Sequence, residues 1–310
     1  MKQRLKRWLK SVPPLKAIIT ERDNLIAERD NLRAQLKLIN PGHYYSPIPN
    51  LREVVDRKAR LFDRSLRNIP GVDLNVAGQL ELLNKLEPFY GEQPFDDAPS
   101  ADRRFHFSNE YFSYSDAIIL HCMMRLARPK RIIEIGSGFS SFVLLDTNEL
   151  FFNGNIEITF IEPEDERLRS RLNENDLQAC DIRAEQVQST DLSLFAGLDK
   201  GDILFVDSSH VAKIGSDVNH ILFEILPLLG MGVLVHFHDV FYPFEYPVEW
   251  IESGRYWNED YMLRAFLQFN NTFKIRFWNH FLGTHHSDRI QTAMPLFMKN
   301  IGGSIWLERV

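Results

Sequence analysis

Apolar and polar residues along this chain follow more than one period, and each period predicts a different kind of element. Ile18, Leu25, Leu32 and Ile39 recur every seven positions with charged flanks, which predicts a helix carrying a heptad seam. Glu21-Arg22-Asp23-Asn24-Leu25 returns as Glu28-Arg29-Asp30-Asn31-Leu32, and Pro41-Gly42 ends the pattern. A seam of roughly three heptads is a marginal length for a coiled coil, and Arg22 and Arg29 at the companion position weaken it further. Ahead of the seam, Leu5, Trp8, Leu9 and Val12 share one helical face among lysines and arginines. That pattern fits a solvated helix end or a peripheral contact with an anionic membrane.

Helical periodicity continues over residues 51–66, 76–86 and 113–128, the last opening on Ser113-x-x-Asp116 and stopped by Pro129. Two loops interrupt it, the proline-stiffened His43–Pro49 and Pro94–Ser100. From residue 131 the period changes. Residues 132–135, 156–161, 181–188, 201–207 and 233–237 are short, mostly apolar runs that read as strands, with helical stretches between them. A helix over 258–269 and two closing strands, 273–278 and 304–309, follow. The alternation predicts a doubly wound α/β sheet.

At 310 residues and 44% hydrophobic, the chain is long enough for one large domain with an appendage. Its net charge of −6 argues against a nucleic-acid partner. Cys122 and Cys180 form no framework and fit a reducing, cytoplasmic setting. The longest apolar stretch, Ile225 to Val235, contains Pro227 and two glycines and is too short to span a bilayer. Met1–Lys10 is basic with no apolar core behind it, so no secretory signal is expected.

The candidate chemistry begins where the strand at Ile132–Ile135 runs into Gly136-Ser137-Gly138, with Ser140 placed to cap the next helix. A dinucleotide fingerprint wants a third glycine where Ser141 stands, and a pyrophosphate would be repelled by Glu134, two residues before the first glycine. A cationic ligand would not. On Glu134-x-Gly136-x-Gly138 the chain resembles the class I S-adenosylmethionine-dependent methyltransferases, whose first motif is E-x-G-x-G. The resemblance covers roughly residues 111–310 and implies a seven-stranded Rossmann-like sheet with an antiparallel last strand. Residues 1–40 would then be an arm and 41–110 a helical and loop cap. It also implies that Glu134, Gly136, Ser137, Gly138 and Ser140 hold S-adenosylmethionine, with Asp207 beside the donor. Glu162, at the tip of the second strand, would accept from the ribose hydroxyls. The adenine-contacting position falls at Glu185 or Gln186, and Tyr111, Phe112 and Tyr114 lie where the family's entry segment covers the cofactor.

Further on, Asp207-Ser208-Ser209-His210, the later Asp217, the turn Leu229-Gly230-Met231-Gly232 and His238-Asp239 resemble the macrocin-type O-methyltransferases. That resemblance implies His210 as general base on an acceptor hydroxyl. Asp207 and Asp239 would be ligands of a divalent metal such as Mg²⁺, with His238 a third candidate. His238 departs from the family, whose metal-dependent sugar enzymes carry an acid there. Strand alternation puts His238 in the site and His236 in the packing. The aromatic loop Phe241–Pro247 suits stacking on a sugar ring.

The expected function is therefore methyl transfer to a hydroxyl of a small molecule, a sugar or glycan precursor, by a protein that self-associates through its arm. The alternative is a non-catalytic binding or scaffold protein with a methyltransferase-like fold and a coiled-coil arm. A nicotinamide oxidoreductase is disfavoured by Ser141.

Overall fold

The strand-forming runs assemble into one seven-stranded sheet in the order β3-β2-β1-β4-β5-β7-β6, in a computed structural model that describes residues 13–36 and 39–310. The strands are β1 Arg131–Ile135, β2 Glu157–Ile161, β3 Asp181–Arg183, β4 Ile203–Val206, β5 Leu234–Phe237, β6 Phe273–Trp278 and β7 Ile305–Arg309. β1 pairs parallel with β2 and β4, and β4 pairs parallel with β5. β7 returns antiparallel between β5 and β6. This is the expected Rossmann-like sheet with an antiparallel last strand.

Every residue of β4 is buried, because helices cover both faces of a central parallel strand and no polar position is tolerated there. The chain runs outward from β1 through β2 to β3, then crosses back to β4 on the other side of β1. The carboxyl ends of β1 and β4 thus flank the point where the strand order reverses, where open α/β sheets leave a crevice.

Residues 58–310 form one compact unit and residues up to Arg57 another. In the larger unit, α2 (Val76–Tyr90) buries Gln79, Leu82, Leu83 and Leu86. Gln79 Oε1 accepts from the Trp278 backbone N–H, tying α2 to β6. α3 (Tyr114–Ala127) is buried on every face from Ser115 to Met124, as a helix packed between other layers must be. α4 (Phe139–Phe152) is the crossover after β1, and α5 (Glu259–Leu267) follows the long loop after β5. In the smaller unit a 24-residue helix, Pro13–Leu36, leaves Ile18, Leu25 and Leu32 exposed. The amphipathic positions Leu5, Trp8, Leu9 and Val12 lie outside the described residues.

Several expected elements are shorter or capped differently. The helix over 51–66 is two short ones, Leu51–Asp56 and Lys58–Leu61, and beyond them Asp63 closes a turn by accepting from Ser65. The first helical stretch after β2 is only Glu166–Arg169, and β3 stops at Arg183. The Ser113–Asp116 capping box is not made, because tertiary partners take both groups: Ser113 Oγ donates to the Phe107 carbonyl, and Asp116 accepts from Ser304 and Asn279. Among the described residues no helix is long and apolar enough to cross a membrane.

Candidate active site

At the carboxyl end of β1 the backbone turns through Gly136, which has a φ of 79° and donates its N–H to the Ile161 carbonyl. A Cβ on Gly136 would lie 1.8 Å from the Asp207 carbonyl oxygen, so only glycine fits between the first turn and the loop after β4. Glu162 closes the other side, accepting from Ser137 N–H at 3.1 Å and from Glu164 N–H at 2.8 Å. Gly138, not Ser140, is the N-cap of α4, and Ser141 Oγ accepts from its N–H at 3.0 Å.

These segments border a cavity of about 430 Å³, within the range of small-ligand sites. Gly136, Glu162, Gln186, Gln188, Asp207 and Asp217 are among its lining residues. Of the two adenine candidates, Gln186 faces the cavity, whereas Glu185 accepts from Thr190 Oγ1 at 3.0 Å. Glu134 is fully buried, and both of its oxygens accept from the hydroxyls of Ser140 and Ser141. Burial raises its pKa to about 8 against the two serine bonds, with Asp207 and Glu162 adding repulsion. The structure thus gives Glu134 the role of bracing the glycine turn rather than meeting a ligand's charge directly.

On the far side of Asp207 the carboxyl ends of β4 and β5 bring together acids and imidazoles. His210 Nε2 stands 3.3 Å from Asp207 Oδ1 and 3.7 Å from Asp239 Oδ2, and its ring lies tilted against Trp257 with centroids 4.3 Å apart. Its Nδ1 lies 2.8 Å from Glu259 Oε2, on the first residue of α5. Burial alone pulls the His210 pKa down, but the bonds to Asp207 and Glu259 outweigh it and raise it well above the usual imidazole range. The two flanking carboxylates thus favour the charged form of the His210 ring.

His238 is buried with Nε2 3.5 Å from Asp239 Oδ1. Burial lowers its pKa, yet Asp239, Asp207 and Asp116 together raise it overall. His236 stacks at 3.9 Å on Phe205, shares a hydrogen bond with Ser304 Oγ, and is held neutral by burial. The two rings lie 6.0 Å apart and nearly parallel, both against Phe112, so the expected split between site and packing is corrected: residues two apart on a strand share a face.

Burial pushes the Asp239 carboxyl up, against the pull of His238 and His210, while the same two imidazoles bring Asp207 below its ordinary value against burial. One cation between two carboxylates is what such a pair requires, and here the His210 ring occupies that position. Among the described residues no three His, Cys, Asp or Glu side chains are arranged to hold a metal ion. Asp207 and Asp239, the two positions the resemblance implied for Mg²⁺, flank His210, and His238, the third candidate, stands beside Asp239.

Two other expectations change. Phe241, Tyr242, Phe244 and Tyr246 are buried, with the Tyr242 hydroxyl donating to the Leu66 carbonyl, so that loop is core rather than a stacking face. Half-buried Trp250 and Trp257, 5.3 Å apart, lie beside it instead. Phe112 packs into the core against Phe205 and His238, Tyr114 stacks on Phe107, and Tyr111 is exposed on Phe139. Glu259 went unread in the sequence. Its only local signal is an acid in the first turn of a helix, which ordinarily complements the helix dipole.

Residues 133–240 match a family model described as a methyltransferase domain. An uncharacterized protein of Archaeoglobus fulgidus is 36% identical over 172 residues, which are 54% of this chain and 76% of that protein. Among solved structures, the O-methyltransferase TomG from Streptomyces achromogenes, in complex with S-adenosylmethionine, is 16% identical, with a TM-score of 0.41 over 84% of this chain and 96% of that one. The Podospora anserina methyltransferase PaMTH1, bound to S-adenosylhomocysteine, is 16% identical, with a TM-score of 0.42 over 85% and 98%.

Proposed function

Given that this chain belongs to the methyltransferase-domain family, we propose that it transfers the methyl group of S-adenosylmethionine to a hydroxyl of a small molecule, a sugar or glycan precursor. The observation that carries the reading is the cavity lined by Gly136, Glu162 and Asp207, with the buried His210 ring 3.3 Å from Asp207. When bound, the donor supplies an electrophilic methyl on a sulfonium.

The residues divide the work. Glu162 offers carboxylate oxygens to the ribose hydroxyls, and Gln186 reaches the base from the floor of the cavity. Asp207 and Asp239 place negative charge near a cationic donor without displacing a phosphate. His210 Nε2 takes the acceptor proton as the S–C bond breaks and the O–C bond forms, so the protein contributes position and one proton transfer. Half-buried Trp250 and Trp257 offer the apolar surface on which a sugar ring would lie. Association of two chains through the Pro13–Leu36 helix belongs to the same reading.

Calorimetry on the full chain tests it: S-adenosylmethionine binds and NAD does not. Sugars, sugar nucleotides and non-sugar phenols are then screened for release of S-adenosylhomocysteine. Binding without turnover on any acceptor would favour the scaffold reading, and binding of NAD alone would overturn both.

A further inference from the structure

We propose that Glu259 is a positioning residue for His210, accepting a hydrogen bond from Nδ1–H so that Nε2 is the nitrogen presented to the acceptor hydroxyl. The inference rests on His210 being the base. The two ring nitrogens are not equivalent, and which one carries the proton in the neutral ring is set by what the other meets. Nδ1 lies 2.8 Å from Glu259 Oε2, whereas Nε2 stands between Asp207 and Asp239 at 3.3 and 3.7 Å. Both neighbouring carboxylates only accept, so the single proton of the neutral ring belongs with the shorter contact, on Nδ1, and Nε2 is left without one between Asp207 and Asp239. With the opposite tautomer Nε2 would already hold a proton and could remove none.

Glu259 is built for this task. It is 1% exposed, and its second oxygen accepts from Ser208 Oγ at 2.9 Å. Ser208 Oγ in turn accepts from the His210 backbone N–H at 3.0 Å. The His210 carbonyl receives the N–H groups of Asn258 and Glu259, at 3.0 and 3.2 Å. His210 itself sits at a φ of 59°, a backbone conformation uncommon for a residue with a side chain. Backbone and ring are thus held by the start of one helix, with Trp257 packed against the ring. In the transfer the acceptor O–H bond breaks, its proton goes to Nε2, and Glu259 remains ionised opposite the imidazolium.

The test uses the full chain labelled with ¹⁵N-histidine, observed by long-range ¹H–¹⁵N correlation at a pH alkaline enough for the ring to be neutral. His210 is assigned by its loss in His210→Gln. The expected result is a protonated Nδ1 and a bare Nε2 in the wild type, and a shift of the proton to Nε2 in Glu259→Gln. Ser208→Ala, which leaves the Glu259–His210 contact in place, keeps the wild-type pattern. A wild-type ring protonated on Nε2 overturns the proposal even if Glu259→Gln fails to fold, and so does a Glu259→Gln ring still protonated on Nδ1. Calorimetry with S-adenosylmethionine runs alongside. Failure of the wild type to bind it refutes the methyltransferase reading, whereas a wrong tautomer in a chain that binds it refutes only the role of Glu259.

Discussion

Two residues in the donor turn have opposite physical demands. Gly136 is required by space: any side chain collides with the Asp207 carbonyl, and the positive φ adds strain. Gly136→Ala should cost about 3 kcal/mol or more of stability and abolish binding of S-adenosylmethionine, read by thermal unfolding and calorimetry. Glu134 is required by shape but penalised by charge. Burial pushes its folded pKa up to about 8 from the ordinary 4.5, so the folded chain holds this proton when the unfolded chain has lost it. The stabilisation is therefore complete below about pH 4.5 and disappears as pH rises through about 8. Glu134→Gln keeps the shape without the charge, and its melting temperature should gain on that of the wild type across this window. A constant difference from pH 5 to 9 would show that Glu134 does not hold the proton. Gly136 and Glu162 were legible in the sequence because a strand end and its turn are local. Glu259 was not, because it reaches His210 across 49 positions.

Elements follow the same division. The five parallel strands and the returning pair were readable because burial on both faces leaves uninterrupted apolar runs. Helix ends were less so: Ser113, Asp116 and Ser140 all carry capping chemistry, and all bond elsewhere because tertiary partners offered a better use. The Pro13–Leu36 helix poses the question the fold leaves to solution. Ile18, Leu25 and Leu32 stay exposed in the single chain, at 61%, 59% and 50%. Paired along that seam, two chains would bury them. Deleting residues 1–40 should then lower the mass seen by light scattering to that of one chain and leave binding of S-adenosylmethionine intact, since every residue lining the cavity lies beyond residue 130. An unchanged mass would return the helix to a solvated or membrane-facing role.

For the whole molecule the decisive arrangement is the convergence of β4, β5 and α5 on His210. Removing the imidazole leaves Asp207 and Asp239 facing each other with no cation between them. His210→Ala should cost turnover about a hundredfold or more while donor binding persists. Because the His210 pKa is raised, the neutral base appears only as pH rises above neutrality, and wild-type turnover should climb on the alkaline side. Asp239→Asn removes one of the acids that hold the charge and should shift that rise to lower pH. The geometry also predicts that activity survives EDTA, since the ring already lies between the carboxylates. Loss of activity in the chelator, restored by Mg²⁺, would mean that a metal displaces the imidazole during turnover.

The placement of β7 has a consequence for how the protein is made. β7 lies between β5 and β6 although it follows both in the chain, and the residues just before it hold the catalytic end together. Ser304 bonds Asp116 and His236, and the Gly303 carbonyl accepts from Val240, one residue past Asp239. During synthesis, then, every side chain named in the chemistry has emerged before the segment that sets its position. A nascent chain stopped before residue 303 would carry the donor turn, the histidine and both acids, yet β5 would still have an unpaired edge. Pairing of β7 with β5 therefore comes after every side chain of the site has been made.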